Sequence, residues 1–272
     1  MAYLFWFIAL ALFSSLEVVS KPIMGLVDPF FTTFFRFFIG GIFLFLISKR
    51  NIKGKDLLHV VLIGCLNCII SMTMLQLSIK FGNASSAATL ISTSPMFTAV
   101  FAVLINKEKI STRKKIGVGL GLFGIMVFGF GMLEGDTITG ILLGVGAAIT
   151  FALYSVLLRK YVAKYGPVNC TAYTTLIPSI FYGLTLLLTG NMKIPSLDIQ
   201  GWLILLYLGI FVTGIAYFAL LEAVNRMGST NAMRLFYLKP VVATTLAVIF
   251  LSESVGIVKI SGMGIIIVSL FF

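Results

Sequence analysis

Residues 94–111 read SPMFTAVFAVLINKEKIS, and residues 239–256 read KPVVATTLAVIFLSESVG. In each stretch a proline precedes an apolar run that ends in a glutamate, so that Pro95 and Glu108 correspond to Pro240 and Glu253. The same shift of 145 residues aligns Ala87 with Ala232, Val103 with Val248, Lys114 with Lys259, Gly117 with Gly262 and Gly119 with Gly264. The chain therefore contains an internal repeat.

The first part of each half repeats at a slightly different shift. A shift of 138 residues aligns Phe13 with Phe151, Val18 with Val156 and Pro29 with Pro167. These matches predict two repeats, residues 1–138 and residues 139–272, with five apolar spans in each. Because five is odd, the second repeat must enter a membrane from the opposite side. Inverted repeats of this kind place a substrate site at their interface near the midplane, and they rock to open each side in turn.

The composition requires a lipid environment. Of the 272 residues, 59% are hydrophobic and 11% are charged, and the mean hydropathy is +1.09. Soluble domains have about 45–50% apolar and about 25% charged residues. Nine acidic residues cannot solvate a water-exposed surface of this size. We therefore predict an all-α integral membrane protein, which excludes a cytosolic enzyme, a secreted disulfide scaffold and a disordered chain.

Ten apolar windows are each about long enough for a membrane-spanning helix, which needs roughly 20 residues. They cover residues 2–21, 29–48, 57–79, 84–105, 116–133, 140–158, 168–189, 201–221, 229–250 and 256–272. The windows are too long and too continuous for barrel strands, which need about 9–11 alternating residues. The sequence thus predicts ten transmembrane helices in two inverted five-helix repeats.

The basic residues give an orientation. With a cytoplasmic N-terminus, thirteen of the twenty fall in cytoplasmic loops: Lys49, Arg50, Lys53, Lys55, Lys107, Lys109, Arg113, Lys114, Lys115, Arg159, Lys160, Lys164 and Arg226. Since cytoplasmic loops carry an excess of lysine and arginine, we predict that both termini are cytoplasmic, in a bacterial inner membrane. The net charge of +11 is spread over these short clusters, so we expect no nucleic-acid partner.

The two quoted stretches, an early Arg36-Phe37 pair in the second span, and glycines at 117, 119, 121, 124, 262 and 264 resemble the drug/metabolite transporter superfamily, EamA type. The resemblance covers essentially the whole chain. It implies a secondary active or facilitative transporter that exports small metabolites, such as amino acids or related zwitterions, across the plasma membrane by alternating access. Nucleotides, sugar phosphates or drug-like compounds are the alternative substrates in the same superfamily.

Other functions fit less well. An integral-membrane enzyme needs clustered acids, bases or metal ligands, whereas the single histidine, His59, stands alone, so we expect no enzyme activity and no metal. A channel is disfavoured by the repeat. We expect no cofactor, coupling to a proton or to no ion, and a monomer or a homodimer. The thiols of Cys65, Cys68 and Cys170 lie in apolar spans and are expected to be packing residues.

Two charged residues lie in the predicted outer half of the first two spans. Glu17 shares a polar helix stripe with Ser14, Ser20 and Lys21, and Arg36 is at a similar depth. An ionisable group inside a span costs at least about 2.5–3.5 kcal/mol and needs a reason. We expect a structural Glu17–Arg36 ion pair, with a gating or coupling role for the two residues and unrelated placement as the alternatives.

The ninth span carries two more cations. Lys239 is at its centre and Arg234 is five residues earlier, with Ser94 and Thr89 as their counterparts in the first repeat. Lys239 is expected to anchor a substrate carboxylate, unless it is neutral, bonded to free carbonyls, or reached by Glu17. Pro95 and Pro240 each remove a backbone hydrogen bond, and they predict helix kinks that serve packing or line a polar cavity.

Buried tyrosines and polar residues complete the candidate substrate site. A phenol in hydrocarbon needs a partner, which makes substrate contacts plausible for Tyr154, Tyr173, Tyr217 and Tyr237. Asn67 on the third span is a candidate of the same kind, with Ser71 and Gln76. The row Gly117, Gly121 and Gly124 is expected to permit close helix packing within the protomer.

Overall fold

The computed structural model describes residues 2–49, 51–106, 112–130, 136–227, 235–269 and 271–272, and within them all regular secondary structure is helical. The helices are α1 (Ala2–Ser20), α2 (Pro29–Ile47), α3 (Gly54–Cys65), α4 (Met72–Phe81), α5 (Ala84–Ile91), α6 (Ser94–Asn106), α7 (Thr112–Phe130), α8 (Ile138–Tyr165), α9 (Pro167–Leu188), α10 (Ile199–Tyr207), α11 (Ala216–Met227), α12 (Leu235–Leu251) and α13 (Ile257–Ser269). A 3-10 turn at Lys21–Ile23 follows α1. Two π-helical segments, Leu66–Ser71 and Leu208–Ile215, join α3 to α4 and α10 to α11.

Seven helical stretches of the described residues are long and apolar enough to cross a membrane. They are Tyr3–Ile23, Pro29–Ile47, Gly54–Phe81, Ala84–Ile105, Ile138–Tyr165, Pro167–Leu188 and Ile199–Leu220. The remaining three predicted spans correspond to shorter apolar helices at Lys115–Phe128, Leu238–Leu251 and Ile257–Ser269. Large apolar side chains project from the bundle, for example Phe130 and Leu188 at 82% and 85% exposure. Lipid tails are the solvent that suits such a surface, so this is a multi-pass membrane protein.

Local sequence sets where several helices begin. Asp28 caps α2 by accepting a hydrogen bond from the backbone N–H of Phe30 at 2.8 Å, and Pro29 occupies the first helical position. Thr137 caps α8 and Asp198 caps α10 through the N–H groups of Gly140 and Gly201. A cap satisfies backbone donors that a helix end leaves free, which is essential near a bilayer.

The two expected proline kinks differ. Helix α5 ends at Ile91 and α6 begins at Ser94, so the span is broken at Ser92 and Thr93, one turn before Pro95. Pro95 has no N–H for the carbonyl of Ile91, and the chain turns instead through a bond from Thr93 N–H to the Leu90 carbonyl at 3.1 Å. Pro240 lies inside α12, which continues through it without a break.

The helix contacts follow a regular pattern. Helix α1 packs against α11 and α12, and α8 packs against α4 and against α5 and α6. Helix α2 packs against α9 and the π segment Leu208–Ile215, and α9 in turn packs against α3. Two further pairs, α7 with α13 and α5 with α12, join the first half of the chain to the second.

Glycines allow the closest of these approaches. The row Gly117, Gly121 and Gly124 lies on α7, and a Cβ atom added at Gly124 would stand 2.9 Å from the backbone nitrogen of Ile266 on α13. On the opposite helix, a Cβ at Gly262 would lie 2.4 Å from the backbone nitrogen of Phe128. The row therefore packs within the chain, as the sequence suggested.

Candidate functional site

A cavity of about 30 Å³ lies where seven helices meet. It is lined by Phe13, Leu16, Arg36, Met72, Leu75, Ile91, Phe151, Tyr217, Phe236 and Lys239. Its walls are apolar except for the guanidinium, the ammonium and the phenol. A larger groove of about 360 Å³ at Val19, Gln200, Leu203, Ile204 and Tyr207 is open, apolar and uncharged. The smaller cavity is the one that brings ionisable groups together.

The ammonium of Lys239 is paired with Glu17. Its Nζ donates to Glu17 Oε1 at 2.7 Å, with 4% and 0% of the two side chains exposed. The prediction that Glu17 pairs with Arg36 is therefore wrong. Depth along the spans suggested that pair, but α1 packs against α12, which carries Lys239, while α2 has its main contacts elsewhere. The long lysine stem reaches across this interface.

Arg36 is fully buried and has only part of its hydrogen bonding satisfied. Its Nε donates to Thr213 Oγ1 at 3.0 Å, whereas Nη1 and Nη2 have no hydrogen-bond partner among the described residues. Thr213 is available as an acceptor because its own hydroxyl donates to the Leu208 carbonyl at 2.9 Å. That bond spans five residues, which is the spacing of the π segment in which Thr213 lies. The guanidinium carbon is also 5.4 Å from the ring centre of Phe37.

The charges of this region do not balance. Lys239 and Glu17 neutralise each other, and Arg36 adds one positive charge that no direct ion pair among the described residues compensates. The Glu17 carboxylate is close enough to attract Arg36 electrostatically, but Glu17 Oε2 makes no hydrogen bond within the described residues. Buried charges are ordinarily paired. The described lining of the cavity is thus one anion short of neutrality.

The predicted tyrosines separate into different environments. Tyr217 lines the cavity and packs edge-to-face against Phe13, with ring centres 5.2 Å apart. Tyr154 is one layer away, with its hydroxyl 3.4 Å from Thr174 Oγ1. Tyr173 donates to Asn51 Oδ1 at 3.1 Å, outside the cavity. Neither Arg234 nor the side chain of Tyr237 is among the described parts of the structure.

The amide and hydroxyl candidates are both buried. Asn67 lies in the π segment Leu66–Ser71, near the Tyr217 hydroxyl, and Ser94 begins α6, but the side-chain polar atoms of neither make a hydrogen bond of regular geometry within the described residues. Neither residue lines the cavity. By contrast, the cavity residues Met72, Leu75, Ile91, Phe151 and Phe236 carried no functional signal in the sequence. Thr213 did carry one, as a hydroxyl within the apolar run LGIFVTGI.

One end of the bundle is closed by a charged network, which we call the Asp136 end. Asp136 accepts hydrogen bonds from Asn83 N–H, Ser86 Oγ and Lys259 Nζ at 2.9, 2.6 and 2.7 Å. Burial alone would raise the pKa of Asp136, but the hydrogen bonds from Lys259, Ser86 and Asn83 outweigh it and lower that pKa below its usual range. The carboxylate therefore stays ionised and holds the two halves of the chain together.

Two more contacts lie at the same end, and the first of them connects the halves. Glu253 accepts hydrogen bonds from the N–H groups of Ala84 and Ser85 and from the Ser85 hydroxyl, and so caps α5 from the far half of the chain. Lys21 Nζ donates to the carbonyls of Ile79 and Gly82, where α4 ends. Glu253 and Lys259 stood out in the sequence only as repeat matches, and their contacts could not be read from it.

The opposite end carries the basic loops. Lys164 Nζ and the Tyr165 hydroxyl both contact Asp56 Oδ2, at 2.6 and 2.7 Å. Asn169 Oδ1 accepts bonds from Ser48 Oγ and the backbone N–H of Lys49. Lys107 and Glu108 fall outside the described residues.

Comparison with known proteins agrees with this architecture. A family model for EamA-like transporters matches the chain twice, over residues 1–130 and 138–272. The chain belongs to the EamA-like transporter family. The predicted drug/metabolite transporter resemblance is confirmed, and the protein is a membrane transporter of this family.

The transporter resembles proteins whose substrates are not named. One is an uncharacterized transporter of Clostridium kluyveri, 31% identical over 98% of this chain and 90% of that protein. Another is the uncharacterized transporter YdfC of Bacillus subtilis, 28% identical over 84% of this chain and 76% of that one. A crystal structure of a further protein has a TM-score of 0.70 at 20% identity, and covers 99% of this chain and 94% of its own. That likeness concerns the fold.

Proposed function

We propose that the protein is a secondary transporter that exports a small metabolite, an amino acid or a related zwitterion, across the bacterial inner membrane by alternating access. The observation that carries the proposal is the buried cavity with a partly unsatisfied guanidinium, bordered by helices of both halves of the chain. Channels need a continuous polar path, whereas this cavity is small and mostly apolar. A carrier that binds, encloses and releases one molecule suits it.

The helix contacts support two repeats. The helices form ten spans in chain order when α3–α4, α5–α6 and α10–α11 are each counted as one span. The contact of span 1 (α1) with span 8 (α10–α11) then corresponds to that of span 6 (α8) with span 3 (α3–α4). The contact of span 1 with span 9 (α12) corresponds to that of span 6 with span 4 (α5–α6). Span 2 with span 8 is likewise matched by span 7 with span 3. Adding five to each span number reproduces the pattern, as a two-fold axis requires.

The π segments support the same symmetry. Leu66–Ser71 and Leu208–Ile215 begin 142 residues apart, between the two sequence shifts of 138 and 145. π segments are rare and concentrate at functional sites. Thr213, which orients Arg36, lies in one of them, and Asn67, which is near the Tyr217 hydroxyl, lies in the other.

The two ends of the bundle suggest the direction of closure. The Asp136 end is held by contacts between the halves, from Lys259 to Asp136, which Ser86 also contacts, and from Glu253 to α5. The Asp56 end carries basic residues, which favours the cytoplasmic side. On this assignment the described conformation is closed toward the outside, and export requires these contacts to separate.

Sugar phosphates and nucleotides are the less favoured substrates. A phosphate dianion or a diphosphate carries at least two negative charges, which pair with cations through charge-assisted hydrogen bonds. Here Glu17 already neutralises Lys239, so that among the described residues of the cavity one cation is left for a ligand. A single carboxylate matches that charge.

Counterflow in proteoliposomes tests the function. Vesicles loaded with unlabelled amino acids are diluted into traces of the labelled compounds, and a carrier accumulates label transiently above equilibrium. Cysteines placed in the 49–55 loop report the orientation, and they should react only with reagents from the cytoplasmic side. Label that equilibrates without overshoot at channel-like rates would contradict alternating access.

A further inference from the structure

The unsatisfied edge of Arg36 indicates what the cavity binds. We propose that Nη1 and Nη2 of Arg36 bind the carboxylate of a substrate with an apolar body, in a bidentate manner, and that the carboxylate is the obligatory group whereas an ammonium is dispensable. This inference rests on the proposed transport function and specifies its substrate class. It replaces Lys239 by Arg36 as the anchor for the anion.

The hydrogen-bond inventory of Arg36 is the first step. A guanidinium presents five N–H donors in a rigid fork, and within the described structure only the Nε donor has a partner, Thr213. The two terminal nitrogens have no hydrogen-bond partner among the described residues, and the side chain has no exposed surface through which water could supply one. Desolvated donors on a cation are strongly unfavourable unless an acceptor meets them. A carboxylate supplies two parallel acceptors at the spacing of the fork.

Local contacts hold the fork in position for such a ligand. The bond from Nε to Thr213 and the ring of Phe37 fix one edge and one face of the guanidinium. The edge that carries Nη1 and Nη2 is the part left for a ligand, because Arg36 lines the cavity. An anchor whose geometry is set before binding loses little entropy when the ligand arrives.

Charge selects the class of anion. Lys239 is engaged by Glu17 at 2.7 Å, so that Arg36 offers the one uncompensated positive charge in the described lining. One carboxylate neutralises the positive charge of Arg36, whereas a phosphate dianion brings one negative charge too many. An amine without a carboxylate adds a second unpaired positive charge. Glu17 Oε2 is unpartnered in the described structure and can accept an ammonium, but neutrality does not require one.

The remaining walls select the body of the ligand. Phe13, Phe151, Phe236 and Tyr217 provide aromatic surface, and the other wall residues are Leu16, Met72, Leu75 and Ile91. Such a lining favours an aliphatic or aromatic body over a sugar or a polar chain. At about 30 Å³ the described cavity has room for little more than water. The helices must therefore separate to make room for a ligand. Binding is then best measured at equilibrium, after this rearrangement has taken place.

The test uses three probes that share one apolar body: L-phenylalanine, 3-phenylpropionate, which lacks the ammonium, and phenethylamine, which lacks the carboxylate. Their concentration-dependent stabilisation of the purified full-length protein against heat gives binding without requiring transport. We expect the two carboxylates to stabilise the protein and the amine to have no effect. Stabilisation by the amine, or by none of the three, would refute the proposal.

Variants assign the carboxylate to its anchor. Arg36→Gln should weaken 3-phenylpropionate binding by about 10- to 100-fold, the range for loss of a charge-assisted bond. Arg36→Lys keeps the charge but loses the fork, and it should recover only part of that affinity. Lys164→Gln, which removes an exposed cation far from the cavity, is the control and should bind as the wild type does. If Arg36→Lys binds as tightly as the wild type, the bidentate assignment fails.

This test and the test of transport fail separately. Carboxylate binding at Arg36 without counterflow would leave the inference standing and refute the carrier function. Counterflow of amino acids that is unchanged in Arg36→Gln would leave the carrier function standing and refute the inference.

Discussion

Single and double substitutions of Glu17 and Lys239 should show strong coupling between the two residues in the free energy of unfolding. The atoms are 2.7 Å apart and the side chains are 0% and 4% exposed. At an effective dielectric constant of about 20, Coulomb attraction at this distance is about 6 kcal/mol, and desolvation of the two ions offsets much of it. Removing one partner leaves an uncompensated buried charge, so Glu17→Gln or Lys239→Met alone should reduce the free energy of unfolding by about 3–5 kcal/mol.

The double variant distinguishes the effect of an uncompensated buried charge from a simple loss of packing. Glu17→Gln with Lys239→Met removes both charges, and it should lie within about 1–2 kcal/mol of the wild type because neither partner of the pair is left as an unpaired ion. Reversible denaturant unfolding in mixed micelles gives the four free energies of the cycle. The exposed Lys164–Asp56 pair is the control, and its cycle should show much weaker coupling. Additive effects at Glu17 and Lys239 would refute the reasoning.

Two further predictions concern the Asp136 end and the glycine interface. Because the folded-state pKa of Asp136 lies below the ordinary value of 3.8, its stabilising contribution is present above that value and is lost as the pH falls through the folded pKa. Thermal unfolding of Asp136→Asn should therefore show a smaller loss of stability on acidification than the wild type, and an identical acid profile would contradict this. Gly262→Leu should destabilise the protein by at least about 1–3 kcal/mol through overpacking against Phe128, whereas the same change at Gly264, where an added Cβ meets nothing within 4 Å, should have little effect in the same assay.

Much of the fold could be predicted because it depends on short-range pattern. Apolar length defines the spans, and the windows 29–48 and 168–189 lie within about one residue of helices Pro29–Ile47 and Pro167–Leu188. The apolar pattern does not show where the hydrogen bonds of a helix change their spacing. The π segments could therefore not be predicted from it, nor could the break of the span near Pro95 and the continuous helix through Pro240.

The partner of a buried charge was harder to predict because it depends on which helices are neighbours. Glu17 and Arg36 are at similar depth on consecutive spans, which made them the natural pair. Lys239 is 222 residues from Glu17 along the chain, and it becomes the partner only because α12 crosses α1. Hydropathy determines depth, but it does not determine the order of helices around the bundle.

The same arrangement explains how one carrier can hold three ionisable side chains without blocking its own site. If Glu17 and Arg36 formed the pair, Lys239 would be left as a flexible point charge and would accept many anions in many poses. Pairing Glu17 with Lys239 instead leaves the guanidinium, whose planar fork is the more selective donor. The cost of one unsatisfied cation in the empty cavity then becomes part of the driving force for binding a carboxylate, because the ligand removes it. A carrier needs this balance, since a site that was fully satisfied when empty would gain little from its substrate.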